Sequence, residues 1–126
     1  MAEKNNILVV EDNDFVRMQI VNFLQEEGFN VIEASDGRVA FEEVEKVVMA
    51  IVDVRMEPID GFEFLRSIRS DDITIPVILV TGDQNPDLLS EAAKWGVAAV
   101  LMKPVQRERL VKTVEKTMKT MVRASW

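Results

Sequence analysis

The sequence predicts an α/β protein, a five-stranded parallel sheet with helices on both faces. Two observations predict it. Short apolar runs without polar alternation recur along the chain, the pattern of strands sheltered on both sides. Between the runs lie stretches with apolar residues at helical spacing, and parallel neighbours need such crossovers.

Each element has its own signals. Asn6 opens the first run, Ile7-Leu8-Val9-Val10. Asp14 reads as the cap of the first helix, whose inward face is Val16, Ile20, Phe23 and Leu24, and Gly28 ends it. Val31-Ile32-Glu33-Ala34 is the second strand. Gly37 leads into a helix with Ala40, Phe41, Val44 and Val47 on its buried face. Met49-Ala50-Ile51-Val52 is the third strand and runs straight into Asp53. A loop with Pro58 and Gly61 precedes a helix marked by Phe64, Leu65 and Ile68. Pro76-Val77-Ile78-Leu79-Val80 is the fourth strand, with proline at its first position, where the missing N–H is tolerated, and Thr81-Gly82 ends it. Leu88, Leu89, Ala92 and Ala93 mark the fourth helix, closed by Gly96. Ala98 to Met102 form the fifth strand, followed by Lys103-Pro104. Leu110, Val111, Val114, Met118 and Met121 give the inward face of the last helix.

Composition narrows the chemistry. The 126 residues suit one domain, read as 1–126, with no internal repeat or linker. There is no cysteine and no histidine, which excludes disulfides, thiolate chemistry and imidazole as base, ligand or phosphoryl carrier. The net charge is −7, and the one dense basic segment, Lys103 to Arg123, is broken by Glu108 and Glu115. That segment reads as a solvated helix face rather than a nucleic-acid footprint. No apolar run approaches the ~20 residues of a membrane span, and the first residues, MAEKNN, lack a signal-peptide core. The expected location is cytoplasmic.

Open α/β sheets bind ligands beyond the carboxyl ends of their strands. There the chain places Glu11 and Asp12 after the first strand, Asp53 after the third, Thr81 after the fourth and Lys103 after the fifth. Singly, each has an ordinary reading as a loop acid, a turn former, a cap or a surface lysine. Together they bring three carboxylates, a hydroxyl and an ammonium to one rim. Clustered carboxylates repel unless a cation neutralises them, and an all-oxygen donor set favours Mg2+ before Ca2+. An ionised aspartate is also a nucleophile toward phosphorus, and Lys103 and Thr81 can donate to the oxygens of a transferring phosphoryl group.

These residues resemble the receiver domain of bacterial two-component response regulators. The resemblance rests on Ile7-Leu8-Val9-Val10-Glu11-Asp12, Asp53 with Gly61 eight positions on, Thr81-Gly82 and Lys103-Pro104, and covers essentially the whole chain. It implies a flavodoxin-like (βα)5 fold with strand order 2-1-3-4-5 and Asp53 as phosphoacceptor. It further implies Mg2+ held directly by Asp12 and Asp53, through water by Glu11, and by the backbone carbonyl of Arg55. Lys103 would contact the phosphoryl group, Thr81 would be the switch hydroxyl, and the Lys103-Pro104 peptide would be cis. The implied partners are a sensor histidine kinase or phosphotransfer protein as donor, and a downstream effector or fused output domain. The family also allows a homodimer through the face built from the fourth helix, the fifth strand and the last helix. No direct contact with nucleic acid or membrane is expected. The module would not be an enzyme in the usual sense, although it would assist its own phosphorylation and dephosphorylation.

Three positions depart from the family pattern. Val100 stands where an aromatic switch residue is common, Val105 where a phenylalanine is common, and Glu57 where a proline is common, with Pro58 next. Valine has one short, stiff χ1 and cannot make a ring's inward swing. Arg55 and Asp83, two residues beyond Asp53 and Thr81, are expected to pair across the mouth of the site and tune phosphoryl lifetime. The alternative is a phosphorylation-independent pseudo-receiver that acts as a protein-interaction module, which only the atypical Val100 favours. An aspartate-based phosphatase is disfavoured, because its second acid would have to be Arg55. Flavin binding is disfavoured by acids at the phosphate end of the sheet.

Overall fold

A computed structural model describes residues 6–124. The ends of the predicted 1–126 domain, residues 1–5 and 125–126, lie outside the described residues. The strands are β1 (Asn6–Val10), β2 (Asn30–Ala34), β3 (Met49–Asp53), β4 (Val77–Thr81) and β5 (Ala99–Met102). The helices are α1 (Asp14–Glu26), α2 (Gly37–Glu43), α3 (Gly61–Ser70), α4 (Pro86–Lys94) and α5 (Arg107–Ala124). All strand pairs are parallel, in the order β2-β1-β3-β4-β5. This is the expected (βα)5 architecture. After β1 the chain steps outward to β2, then crosses back to β3 on the other side, so the crevice beyond the β1 and β3 ends is the topological switch point.

Successive strand residues point to opposite faces, and each face has its own core. Leu8, Val10, Ala50, Val52, Val77 and Leu79 meet Ala40, Phe64, Leu65, Ile68, Leu88 and Ala92 from α2, α3 and α4. Ile7, Val9, Met49, Ile51, Ile78, Val80 and Leu101 meet Ile20, Val21, Leu24, Leu110 and Val114 from α1 and α5. Burial on both faces is why the strands read as unbroken apolar runs.

Several boundaries differ from the sequence reading. The cap of α1 is Asn13, whose Oδ1 accepts the Val16 N–H at 3.0 Å, and Asp14 is the first helical residue. Gly28 does end the helix segment, at φ +89°. The second helix stops at Glu43 and tightens into a 3-10 turn, Val44–Lys46, so Val44 and Val47 are buried from beyond α2. Pro76 and Ala98 fall just outside their strands, although the Pro76 carbonyl still accepts the Ala50 N–H at 3.0 Å. On α4, Leu88 and Ala92 are buried, but Leu89 and Ala93 face outward. The Lys103-Pro104 peptide is cis, as expected, and Glu57-Pro58 is cis as well. No helix among the described residues is long and apolar enough to cross a membrane.

Candidate functional site

The backbone brings the predicted residues together before any side chain is considered. Glu11 extends the sheet, donating its N–H to the Ala34 carbonyl at 3.1 Å. Asp53 and Thr81 are the last residues of β3 and β4, and the Val54 N–H reaches the Val80 carbonyl at 3.0 Å. The Lys103 N–H donates to the Thr81 carbonyl at 2.8 Å, which fixes the lysine at the end of β5. Gly61 closes the loop from below. Its N–H donates to the Val54 carbonyl at 2.9 Å, and a Cβ there would stand 2.5 Å from the Asp53 carbonyl oxygen. Only glycine lets the start of α3 press this closely on the Asp53 backbone. Asp60 caps that helix in a reciprocal capping box with Glu63.

Carboxylate oxygens of Glu11, Asp12 and Asp53 lie within 4.8 Å of one another. Glu11 and Asp53 are buried, at 1% and 4% exposure, whereas Asp12 is exposed. Lys103 Nζ sits 3.2 Å from Glu11 Oε1 and 3.2 Å from Asp53 Oδ1. Glu11 Oε2 accepts the Asn13 N–H at 3.2 Å. Glu11 Oε1 has the nearby ammonium charge but no partner in hydrogen-bond geometry.

The electrostatics follow from this crowding. Burial, and then the adjoining Asp53 carboxyl, push the Glu11 carboxyl up to about 7, against the downward pull of the Asn13 N–H and of Lys103. Burial alone would lower Lys103, but the carboxylates of Asp53 and Glu11 outweigh it and hold the ammonium above its ordinary value.

The chemistry of the donor set fits a divalent hard cation. When all three carboxylates are ionised, one ammonium leaves two negative charges uncompensated, and one buried oxygen lacks a hydrogen bond. All the candidate ligands are oxygens, which suits Mg2+.

The other predicted residues fall around this pocket. The Arg55 N–H approaches Asp53 Oδ1 at 3.4 Å, so its peptide lies beside the pocket. The Thr81 hydroxyl is buried and accepts the Asp83 N–H at 3.0 Å. Arg55 and Asp83 do face each other, with Arg55 Nη2 donating to Asp83 Oδ2 at 2.5 Å. That bond, and then the Asn85 N–H, hold the Asp83 carboxyl below its ordinary value. Val100 is half-buried and packs against the core on the α2, α3 and α4 face. Sequence reasoning missed Arg17, whose Nη1 donates to the Glu11 carbonyl at 2.8 Å. The available signal was a cation in the first turn of the helix that follows the acidic loop, three residues after Asp14.

Comparisons with known proteins agree with this fold. The family model for the response regulator receiver domain matches residues 7–115. The chain is 34% identical over 104 residues to a cyclic di-GMP phosphodiesterase of Thermotoga maritima, covering 82% of this chain and 28% of that protein. It is 33% identical over 117 residues to the transcriptional regulatory protein PdtaR of Mycobacterium tuberculosis, covering 90% of this chain and 57% of that one. The chain thus spans 28% to 57% of the length of these two curated relatives. Among solved structures, the chemotaxis protein CheY4 of Vibrio cholerae superposes with a TM-score of 0.84 at 30% identity, covering 90% of this chain and 98% of that one.

Proposed function

Since the chain belongs to the family of response regulator receiver domains, we propose that it accepts a phosphoryl group on Asp53 and relays a signal in that form. The observation that carries the reading is the buried Asp53 carboxylate with the Lys103 ammonium 3.2 Å away, beside two further acids. A carboxylate sheltered on a strand end and aimed at a cation is placed to act as a nucleophile and to keep the product from water.

In this reading an Asp53 oxygen forms a bond to phosphorus as the bond from phosphorus to a partner's histidine nitrogen breaks. Lys103 and the Thr81 hydroxyl donate to the phosphoryl oxygens. Asp12, Asp53 and the Arg55 carbonyl would hold Mg2+ directly, and Glu11 through water. When bound, that ion offsets the charge of the acids and of the incoming phosphoryl oxygens. Glu11 anchors the acidic loop through the Asn13 N–H, and the Lys103 ammonium stands 3.2 Å from the Asp53 carboxylate. Thr81 would leave the Asp83 N–H to reach the phosphoryl group, and Val100 cannot follow it with a ring's inward swing.

The donor is a sensor histidine kinase or phosphotransfer protein, a reading that membership of the receiver family supports. The receiver is a single domain acting in the cytoplasm, and its effector is a separate protein or a fused output domain. The phosphodiesterase activity named for the Thermotoga maritima relative belongs to a protein of which this chain matches 28%, and is not proposed for the receiver.

Intact-mass spectrometry after incubation with acetyl phosphate and Mg2+ tests the proposal. A gain of one phosphoryl group, abolished by EDTA and by Asp53→Asn, is the expected outcome. No gain under any condition would leave a pseudo-receiver that binds partners unmodified.

A further inference from the structure

Arg17 occupies a position that neither ion pairing nor packing explains by itself. Its guanidinium uses Nη2 on Asp14 Oδ1 at 2.7 Å and Nε on Glu33 Oε1 at 3.1 Å. Those carboxylates are 89% and 52% exposed, so the pairs add little to stability. They do fix the plane of the guanidinium, whose side chain is largely sheltered. The remaining donor, Nη1, then meets the Glu11 carbonyl at 2.8 Å.

That carbonyl belongs to the peptide linking Glu11 to Asp12. The Glu11 N–H is already held by the Ala34 carbonyl of β2. Arg17 grips the other end of the same residue, so the backbone from which both acids depart is fixed on two sides. The clamp joins α1, the end of β1 and, through Glu33, β2. A rigid planar fork can aim one donor while two others are anchored, which a lysine cannot do.

We propose that Arg17 is a positioning residue for the cation site, setting the Glu11-Asp12 peptide so that both carboxylates converge with Asp53. The inference rests on the Mg2+ reading of the pocket given above. It makes a prediction opposite to simple electrostatics. A cation beside an acidic pocket repels Mg2+, so if Arg17 acted through its charge, removing it would tighten binding. If it acts by positioning, removing it weakens binding.

The test titrates the full chain with Mg2+ and follows the amide NMR shifts of Asn13 and Val54, for the wild type, Arg17→Ala and Arg17→Lys. Thermal unfolding in EDTA checks that each variant is folded. Loss of an outer contact that orients metal ligands weakens affinity roughly ten-fold or more, and that is expected for Arg17→Ala. Arg17→Lys keeps the charge, loses the fork and is expected to weaken binding as well. If wild type binds and both folded variants match it, or Arg17→Ala binds more tightly, the inference is overturned alone. If wild type binds no Mg2+, the reading of the pocket fails and the inference falls with it.

Discussion

Val52 and Asp53 are consecutive on β3 and nearly equally sheltered, at 0% and 4% exposure, yet different forces hold them. Val52 joins an apolar core that gains by excluding water. Asp53 gains nothing from burial itself, because a charge removed from water is costly unless paired. Its position is set by its strand, by the close approach of Gly61 and by Lys103. One residue along a strand therefore separates the apolar part of the molecule that supplies stability from the acidic rim that does not.

The largest expected effect lies on the core side. Phe64 is fully buried, with its ring centroid 5.1 Å from that of Phe41. Phe64→Ala should lower unfolding free energy by about 3–5 kcal/mol in urea denaturation. A much smaller loss would mean that the α3 face collapses around the cavity, and the contrast with the rim would be weaker than described.

The rim should show the opposite sign. The folded state holds the Glu11 proton up to about 7, against 4.5 for a free side chain. Between these values the unfolded chain has lost that proton and the folded chain has not, so stability falls as pH rises through the window. In chelator the fall should be on the order of 3 kcal/mol, and Glu11→Gln should remove it. Asp83 is shifted downward and Lys103 upward, so their contributions change below and above this window. Stability that is flat or rising from pH 4.5 to 7 would contradict the environment assigned to Glu11.

The smallest effect sharpens the comparison at the mouth of the site. Arg55 pairs with Asp83 and its side chain is 75% exposed, so Arg55→Ala should lower stability by less than about 1 kcal/mol. If the pair hinders the attacking water, the same variant should lose its phosphoryl group a few-fold faster, measured as decay of the phosphorylated mass after donor removal. Decay at the wild-type rate would make the pair a surface contact only.

The core was legible in the sequence because doubly covered strands leave unbroken apolar runs, such as Met49 to Val52, that little else produces. Five rim residues were legible because strand ends are marked by the change from apolar to polar. Less could be read where two residues compete for one role. Asn13 and Asp14 both suit a helix cap, and only backbone conformation chose Asn13. Leu88, Leu89, Ala92 and Ala93 form a stripe wider than the surface that receives it, so half of it stays outside. Val54 and Met56 were read as loop, yet both are buried, because Gly61 draws that loop onto the sheet. The Lys103 contacts to Glu11 and Asp53 depend on strands brought together by β1-β3-β4-β5 order, and the carbonyl grip of Arg17 depends on a helix approach angle. The Lys103 contacts leave no local signal, and the cation at Arg17, three residues after Asp14, marks only a place and not the grip.

The central claim is that Asp53, rather than a neighbouring acid, receives the phosphoryl group. Borohydride reduction of the acetyl-phosphate-treated chain followed by tryptic mapping tests it most directly. Cleavage after Arg17, Lys46 and Arg55 places Asp12 and Asp53 on separate peptides. The account predicts reduction of Asp53 to homoserine in the 47–55 peptide, dependent on Mg2+. Modification of Asp12 in the 5–17 peptide, or of neither, would contradict it.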